Sequence, residues 1–528
     1  MKTLRTIYEI ARADFHERTR RFSFVVTLAL VVYVAYLFVP PNDAVYTTLQ
    51  MGNHRGIYNS AWIGAQMALL AATYLIIVGF YLVRNSINRD LRTHVGEIIA
   101  ATRVRKPVYT LGKMLSNFGT LAVIVGVVAL STPVLQLIRG EDMTIRPLAL
   151  IAPFLYLCLS AIALVAAMAV LFECIPFLRG TLGNIVYFLV IPGMMAFELE
   201  KGVPILGINV VSRNMMEVCH QAYPDYVIGS SFTLGGEAPG LDQIISMTTF
   251  TWNGMTPSGD FLLNRLMWIG IAVGITMVAG VFFNRFDSAG ARSIAPTKPK
   301  RAPRFPRVRY GLQWLTLSRG GELAIAAAGA NGHVRLTPLP ARRPRGRFLG
   351  VLRAELRLAI GSLPWWWQIG LLGLIAAQLA TPWSEARQFI SPVAWLWPIL
   401  IWSSMGIREH RRSVNEIVFS APHPLRRQLP AVWIAGVAVA LFATSGMGLR
   451  TIIAGEAYRT VAWLAGAVFV PSLALALGTW SRTSRLFEII YLFWWYIGPA
   501  NAVGPADYTG MVEGAATPTL TAFYGLAA

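Results

Sequence analysis

Long apolar runs separated by short polar segments dominate the chain. They fall near residues 23–39, 61–83, 115–138, 147–172, 182–198 and 264–284, and again near 366–381, 390–407, 429–447, 460–480 and 486–500. A helix needs about 20 apolar residues to cross a bilayer core. The pattern therefore predicts an all-α, polytopic membrane protein. Several runs of the second series are short. Residues 366–381 and 390–407 read as two spans rather than one re-entrant pair, because Glu385 and Arg387 separate them. Ahead of the first run, Leu4, Ile7, Ala11 and Phe15 recur at helical spacing, with Arg5, Arg12, Arg18, Arg20 and Arg21 off that stripe. This predicts an amphipathic helix in the membrane interface.

Composition narrows the class. Of 528 residues, 55% are hydrophobic and 14% charged, and the mean hydropathy is +0.52. An average soluble domain carries about 25% charged residues. The net charge of +20 is read as topology, since Lys and Arg gather on the cytoplasmic side, and nucleic acid is not an expected partner. Cys158, Cys174 and Cys219 are too few and too scattered for a disulfide framework or a zinc motif.

Loop charge sets the expected orientation. Segment 84–113 holds Arg84, Arg89, Arg92, Arg103, Arg105, Lys106 and Lys113 against Asp90 and Glu97, whereas 40–60 has Arg55 alone. Segment 285–350 carries fourteen Lys and Arg against Asp287 and Glu322. The N-terminus, 84–113 and 285–350 are thus expected in the cytoplasm, and six spans between the first and the last agree with that. Segment 285–350 is rich in Pro and Arg, which reads as a basic linker near anionic headgroups.

The linker divides the chain into halves that match. Arg89, Asp90, Arg92, Val95, Glu97 and Ile98 correspond to Arg408, Glu409, Arg411, Val414, Glu416 and Ile417, all 319 positions later. "RADF" at Arg12 resembles "RAEL" at Arg353, and "NIVYF" at Asn184 resembles "EIIYL" at Glu488. The three matches occur in order and at the same topological places, which indicates an internal duplication. In each copy a short charged helix is expected between the second and third spans. Its apolar set is Val95, Ile98, Ile99 and, after a turn, Val108 in the first copy, and Val414, Ile417 and Val418 in the second. A small apolar face with a charged rim has the anatomy of a protein-docking site. A plain interfacial helix with positive-inside charges fits equally well.

The residues "VGEIIAATRVRKPVYTLGK" at Val95 resemble the cytoplasmic loop of ABC-2 type permeases, the membrane subunits of type II ABC exporters. The shared features here are Gly96, Glu97, Ile98, Ile99, Thr102, Arg105, Gly112 and Lys113. The second copy keeps Glu416, Ile417, Val418 and Pro422 but lacks the Gly-Lys ending. The resemblance implies two tandem units of about six transmembrane helices each. These are 1–284 and 351–528, joined by the linker 285–350, with the last helix of the second unit missing or truncated. It also implies separate ATPase subunits, two by analogy, docking on 84–113 and 408–428. The docking residues are then Arg89, Asp90, Arg92, Val95, Glu97, Ile98 and Ile99, and Arg408, Glu409, Arg411, Val414, Glu416, Ile417 and Val418. The expected location is the inner (cytoplasmic) membrane.

On this reading the chain binds no cofactor and holds no catalytic or metal site, and ATP and magnesium belong to the partner. The sequence has no G-x-x-x-x-G-K-[ST] and no H-E-x-x-H. An ion-coupled transporter would place ionisable residues deep in its spans, whereas Glu173, Arg179, Glu198, Arg265 and Glu488 sit at or near span ends. A non-transporting membrane scaffold is the third reading. The segment 199–262 is expected outside the membrane, where Met215, Met216, Cys219 and His220 offer soft ligands but read more simply as part of a capping loop. Trp365, Trp366 and Trp367 read as interface anchors.

Overall fold

The computed structural model describes residues 2–41, 46–228, 232–237, 247–283, 347–361, 363–411, 414, 416, 418, 420 and 424–528. Nearly all of the expected linker therefore lies outside the described residues. Among the described residues, seven helices are long and apolar enough to cross a membrane: Ser60–Leu91, Lys106–Arg139, Pro147–Cys174, Thr181–Glu198, Gly259–Phe282, Pro424–Ala443 and Ala457–Ser481. Two bent pairs, Thr3–Thr19 with Phe22–Phe38 and Phe348–Gly361 with Trp365–Ala380, bring the number to nine if each is one span. The protein is an all-α, polytopic membrane protein.

The first bent pair matches the expected amphipathic helix followed by an apolar run, and the second repeats the arrangement. The first turns by 75° and the second by 98°. Pro364 caps the start of the second apolar helix with extended backbone, its φ of −67° being the value the ring imposes.

The first half is built around Ser60–Leu91 and Pro147–Cys174, the two most enclosed spans. Ser60–Tyr74 is buried on nearly every side, so it shows no polar face. Asn59 starts it by accepting the Trp62 N–H at 2.8 Å, a side-chain cap that satisfies a free backbone donor. Lys106–Arg139 has 34 residues, about 51 Å of helix at 1.5 Å per residue. That exceeds the roughly 30 Å of a bilayer core, so its ends project and can carry charge. At the other end of the spans, Thr47–Gln50 pairs antiparallel with Thr233–Glu237, and His54–Gly56 pairs parallel with Thr248–Phe250. The helix Ile208–Ala222 packs beside them.

The second half is more broken. The run 390–407 forms short helices, Ser391–Leu396 and Ile399–Trp402, interrupted at Pro398. The run 486–500 becomes Ser484–Trp495 followed by the wider turn Tyr496–Ala500. Neither passes as a full span by length. Trp365 and Trp366 are exposed, as interface anchors would be, but Trp367 is buried. Its indole N–H donates to the Trp397 carbonyl at 3.3 Å, and the Trp397 indole returns the bond at 3.1 Å.

Candidate docking surface

Segment 84–113 begins where Ser60–Leu91 is interrupted at Asn85, whose φ of 77° is left-handed. The short helix Ser86–Arg92 follows. Its first N–H groups point at the Glu173 carboxylate, which comes from the end of the helix Leu159–Cys174. The N–H of Ser86 donates at 3.0 Å, that of Ile87 at 2.6 Å and that of Asn88 at 3.3 Å; the N–H of Asn85 donates as well. A carboxylate there satisfies orphan donors and suits the helix dipole. A second left-handed residue, His94, leads into Val95–Ala101, which closes with the Thr102 hydroxyl donating to the Ile99 carbonyl at 2.7 Å.

The charged residues of this segment divide into two groups. Arg89 and Asp90 turn inward. Asp14, on the amphipathic helix Lys2–Thr19, accepts from Lys113 at 2.7 Å and from Ser116 at 2.6 Å, pairs with Arg18 at 3.1 Å, and bonds Arg89. Asp90 accepts from the Tyr109 hydroxyl at 2.6 Å and pairs with Lys113 at 2.8 Å. The side chains of Asp14 and Lys113 are each 3% exposed. Burial pushes the Asp14 carboxyl up, but the charges of Arg18, Lys113 and Arg89 outweigh it and hold the pKa at about 2. Gly112 lets the two helices approach this closely, since a Cβ there would sit 2.7 Å from Ile10. The Gly-Lys pair therefore clamps the amphipathic helix to Lys106–Arg139.

The outer face is formed by Leu91, Val95, Glu97 and Ile98, all exposed, with Ile98 69% exposed. Ile99 instead packs inward, against the cluster of Ile87, Tyr109, Cys174 and Phe283. The side chain of Arg92 is outside the described residues. The apolar face is thus smaller than the sequence suggested, and Arg89 is not part of its rim.

In the second half Arg408 donates to Glu355 at 2.6 Å, and the Gln428 amide donates to the other carboxylate oxygen at 2.6 Å. Glu409 is half-buried, Arg411 and Glu416 are exposed, and Val414 and Val418 are half-buried. The N–H of Val418 donates to the Val414 carbonyl at 3.0 Å, a helical bond. Ile417 lies outside the described residues.

The halves meet at Thr181–Lys201 and Ser484–Trp495. Glu488 is fully buried there; it accepts from Thr181 at 2.7 Å and also from the Asn184 amide. Thr181 lies 3.2 Å from Ser403, and Arg485 donates to the carbonyls of Tyr81 and Arg84 at 3.3 Å each. Ile489 packs into the core of the first half, and Ile185 and Phe188 into that of the second.

Sequence reasoning missed the roles of Glu173, Glu355 and Gln428. The signal for Glu355 was present, because the repeated tetrapeptides "RADF" and "RAEL" put an acid at the same place in each half. Met215 and Cys219 are buried, and His220 is 2.7 Å from the Tyr226 carbonyl. Among the described residues, no three His, Cys, Asp or Glu are grouped to hold a metal ion. No family model matches the chain, and no curated protein or solved structure matches it either.

Proposed function

We propose that this chain is the membrane subunit of an ATP-driven exporter of the ABC-2 permease type, with two permease units fused in one polypeptide. Residues 1–284 form one unit and 351–528 the other. Separate ATPase subunits dock on the cytoplasmic face around Val95 and Ile98 and on its counterpart around Val414–Val418. Closure of the ATPase pair on ATP moves these segments, and the motion opens a path for an apolar or amphipathic cargo between the units. Hydrolysis falls to the partner, since the sequence has no phosphate-binding loop.

One observation carries the reading: the same ion pair occurs twice. Asp14 precedes Glu355 by 341 positions, and Arg89 precedes Arg408 by 319. In both halves the acid of the amphipathic helix holds an arginine of the charged segment. The contacts between the halves are also reciprocal. Thr181 meets Ser403, while Arg485, 304 positions after Thr181, reaches Arg84, 319 positions before Ser403. Ile185 and Ile489, also 304 apart, each enter the other half's core. Such exchange is the mark of an isologous, two-fold interface. It supports two copies of one unit facing each other.

A second reading, coupling to an ion gradient, is favoured by buried Glu488, because an ionisable residue within the membrane region is commonly functional. Affinity purification in mild detergent with mass spectrometry separates the two. A stoichiometric P-loop ATPase, released by Glu97→Lys with Glu416→Lys, supports the exporter. Recovery of the chain alone in several detergents with ATP present contradicts it. Transport abolished by Glu488→Gln without any bound ATPase favours ion coupling.

A further inference from the structure

Beside the unit interface lies a cavity of about 750 Å³ whose charged lining is entirely positive. The first half contributes Arg18, Arg84 and Arg89, and the second contributes Arg411, Arg482 and Arg485. Arg21 and His410 complete its basic lining, and among the described residues no Asp or Glu lines it. The walls also include Phe24, Leu82 and Ile124.

The positive charge is only partly matched. Arg18, Arg21 and Arg89 share Asp14 and Glu17. Among the described residues, Arg84, Arg411, Arg482 and Arg485 make no ion pair. Glu173 and Glu488 act on Arg84 and Arg485 from a distance, and both are already engaged, Glu173 by the N–H groups of 85–88 and Glu488 by Thr181 and Asn184. Arg84 is 5% exposed, yet its Nε and Nη1 have no hydrogen-bond partner; Nη2 of Arg18, 9% exposed, has none either. Buried guanidinium nitrogens left bare are costly. Their planar donor fork matches phosphate as it does carboxylate, and so many arginines in one cavity suit the anion of higher charge.

We propose that this cavity binds a phosphate group between the two halves, offsetting the repulsion among the arginines and holding the halves together at this end. The apolar wall residues make room for the start of an acyl chain, so the phosphate comes from an anionic phospholipid headgroup or from a soluble phosphate compound. The site is independent of the proposed function and stands or falls on its own.

The test uses the full chain, delipidated in neutral detergent. Binding and thermal midpoint are measured with phosphatidylglycerol, with phosphatidylcholine as the zwitterionic control, and with tripolyphosphate. The expected result is tighter binding of phosphatidylglycerol than of phosphatidylcholine, or binding of tripolyphosphate, with a raised midpoint. Response to the lipid alone identifies a headgroup, and response to tripolyphosphate alone identifies a soluble ligand. Arg411→Gln with Arg482→Gln, both at exposed positions, should weaken binding about 100-fold, roughly tenfold per charge-assisted contact. Arg84→Gln should weaken it about tenfold at the buried wall; if it fails to fold, the exposed pair carries the test. No preference over phosphatidylcholine together with no tripolyphosphate binding, or undiminished binding by the double variant, overturns the proposal.

Discussion

The Asp14 and Glu355 sites do the same job with different means. Asp14 is held by two arginines, a lysine and a serine, in a pocket closed to solvent. Glu355 is held by one arginine and one amide, and its Arg408 is 16% exposed. The difference traces to the Gly-Lys pair. Lys113 has no basic counterpart in the second copy, so its acid takes Gln428 instead. A network of several buried charges depends on every member, whereas a single pair with one amide beside it has fewer partners to lose. The first half is therefore expected to be the rigid partner and the second the more easily remodelled one.

Asp14→Asn should separate them most sharply. It leaves Lys113 with Asp90 alone and weakens the hold on two arginines, and should cost about 3–5 kcal/mol, measured by unfolding in detergent. The same carboxylate sets a pH dependence. Its folded pKa of about 2 lies below the ordinary 3.8, so its contribution is full above about 4 and fades as pH falls toward 2. Acid unfolding curves of the wild type should show that loss, and Asp14→Asn should not.

Gly112→Ala should come next, at about 1–3 kcal/mol for an overpacked contact, because its new methyl would meet Ile10. A tolerant outcome would mean that the amphipathic helix is less tightly clamped than the Asp14 network implies. Glu355→Gln should cost less, about 1.5–3 kcal/mol, since it removes one charge-assisted pair where Asp14→Asn disturbs three. An equal cost for Glu355→Gln and Asp14→Asn would erase the contrast. Ile98→Ser should be the mildest in stability, within about 0.5 kcal/mol for an exposed site, yet it should release the docked ATPase.

Much of this was legible in the chain. The apolar runs marked the helices because the bilayer demands length and apolarity, and all seven full spans among the described residues fall on them. The decapeptides and the "RADF" and "RAEL" tetrapeptides marked where each half ties its amphipathic helix to its loop. What was not legible is direction. Arg89 and Ile98 look like one surface in sequence, but Asp14, 75 residues before Arg89, draws the arginine inward and leaves the isoleucine outside. The breaks in 390–407 were equally hidden, since Pro398 reads as one more residue in an apolar run. The carboxylate cap that Glu173 places on Ser86–Arg92 joins residues more than eighty positions apart, which no local pattern records.

The most direct test of the central claim is the mass of the intact complex purified in mild detergent with a non-hydrolysable ATP analogue. Two fused units, each with its own docking face, predict one copy of this chain with two ATPase subunits, and loss of ATPase when Ile98→Ser is combined with Glu416→Lys. Two copies of this chain for two ATPases, or a chain that carries none, would contradict the account.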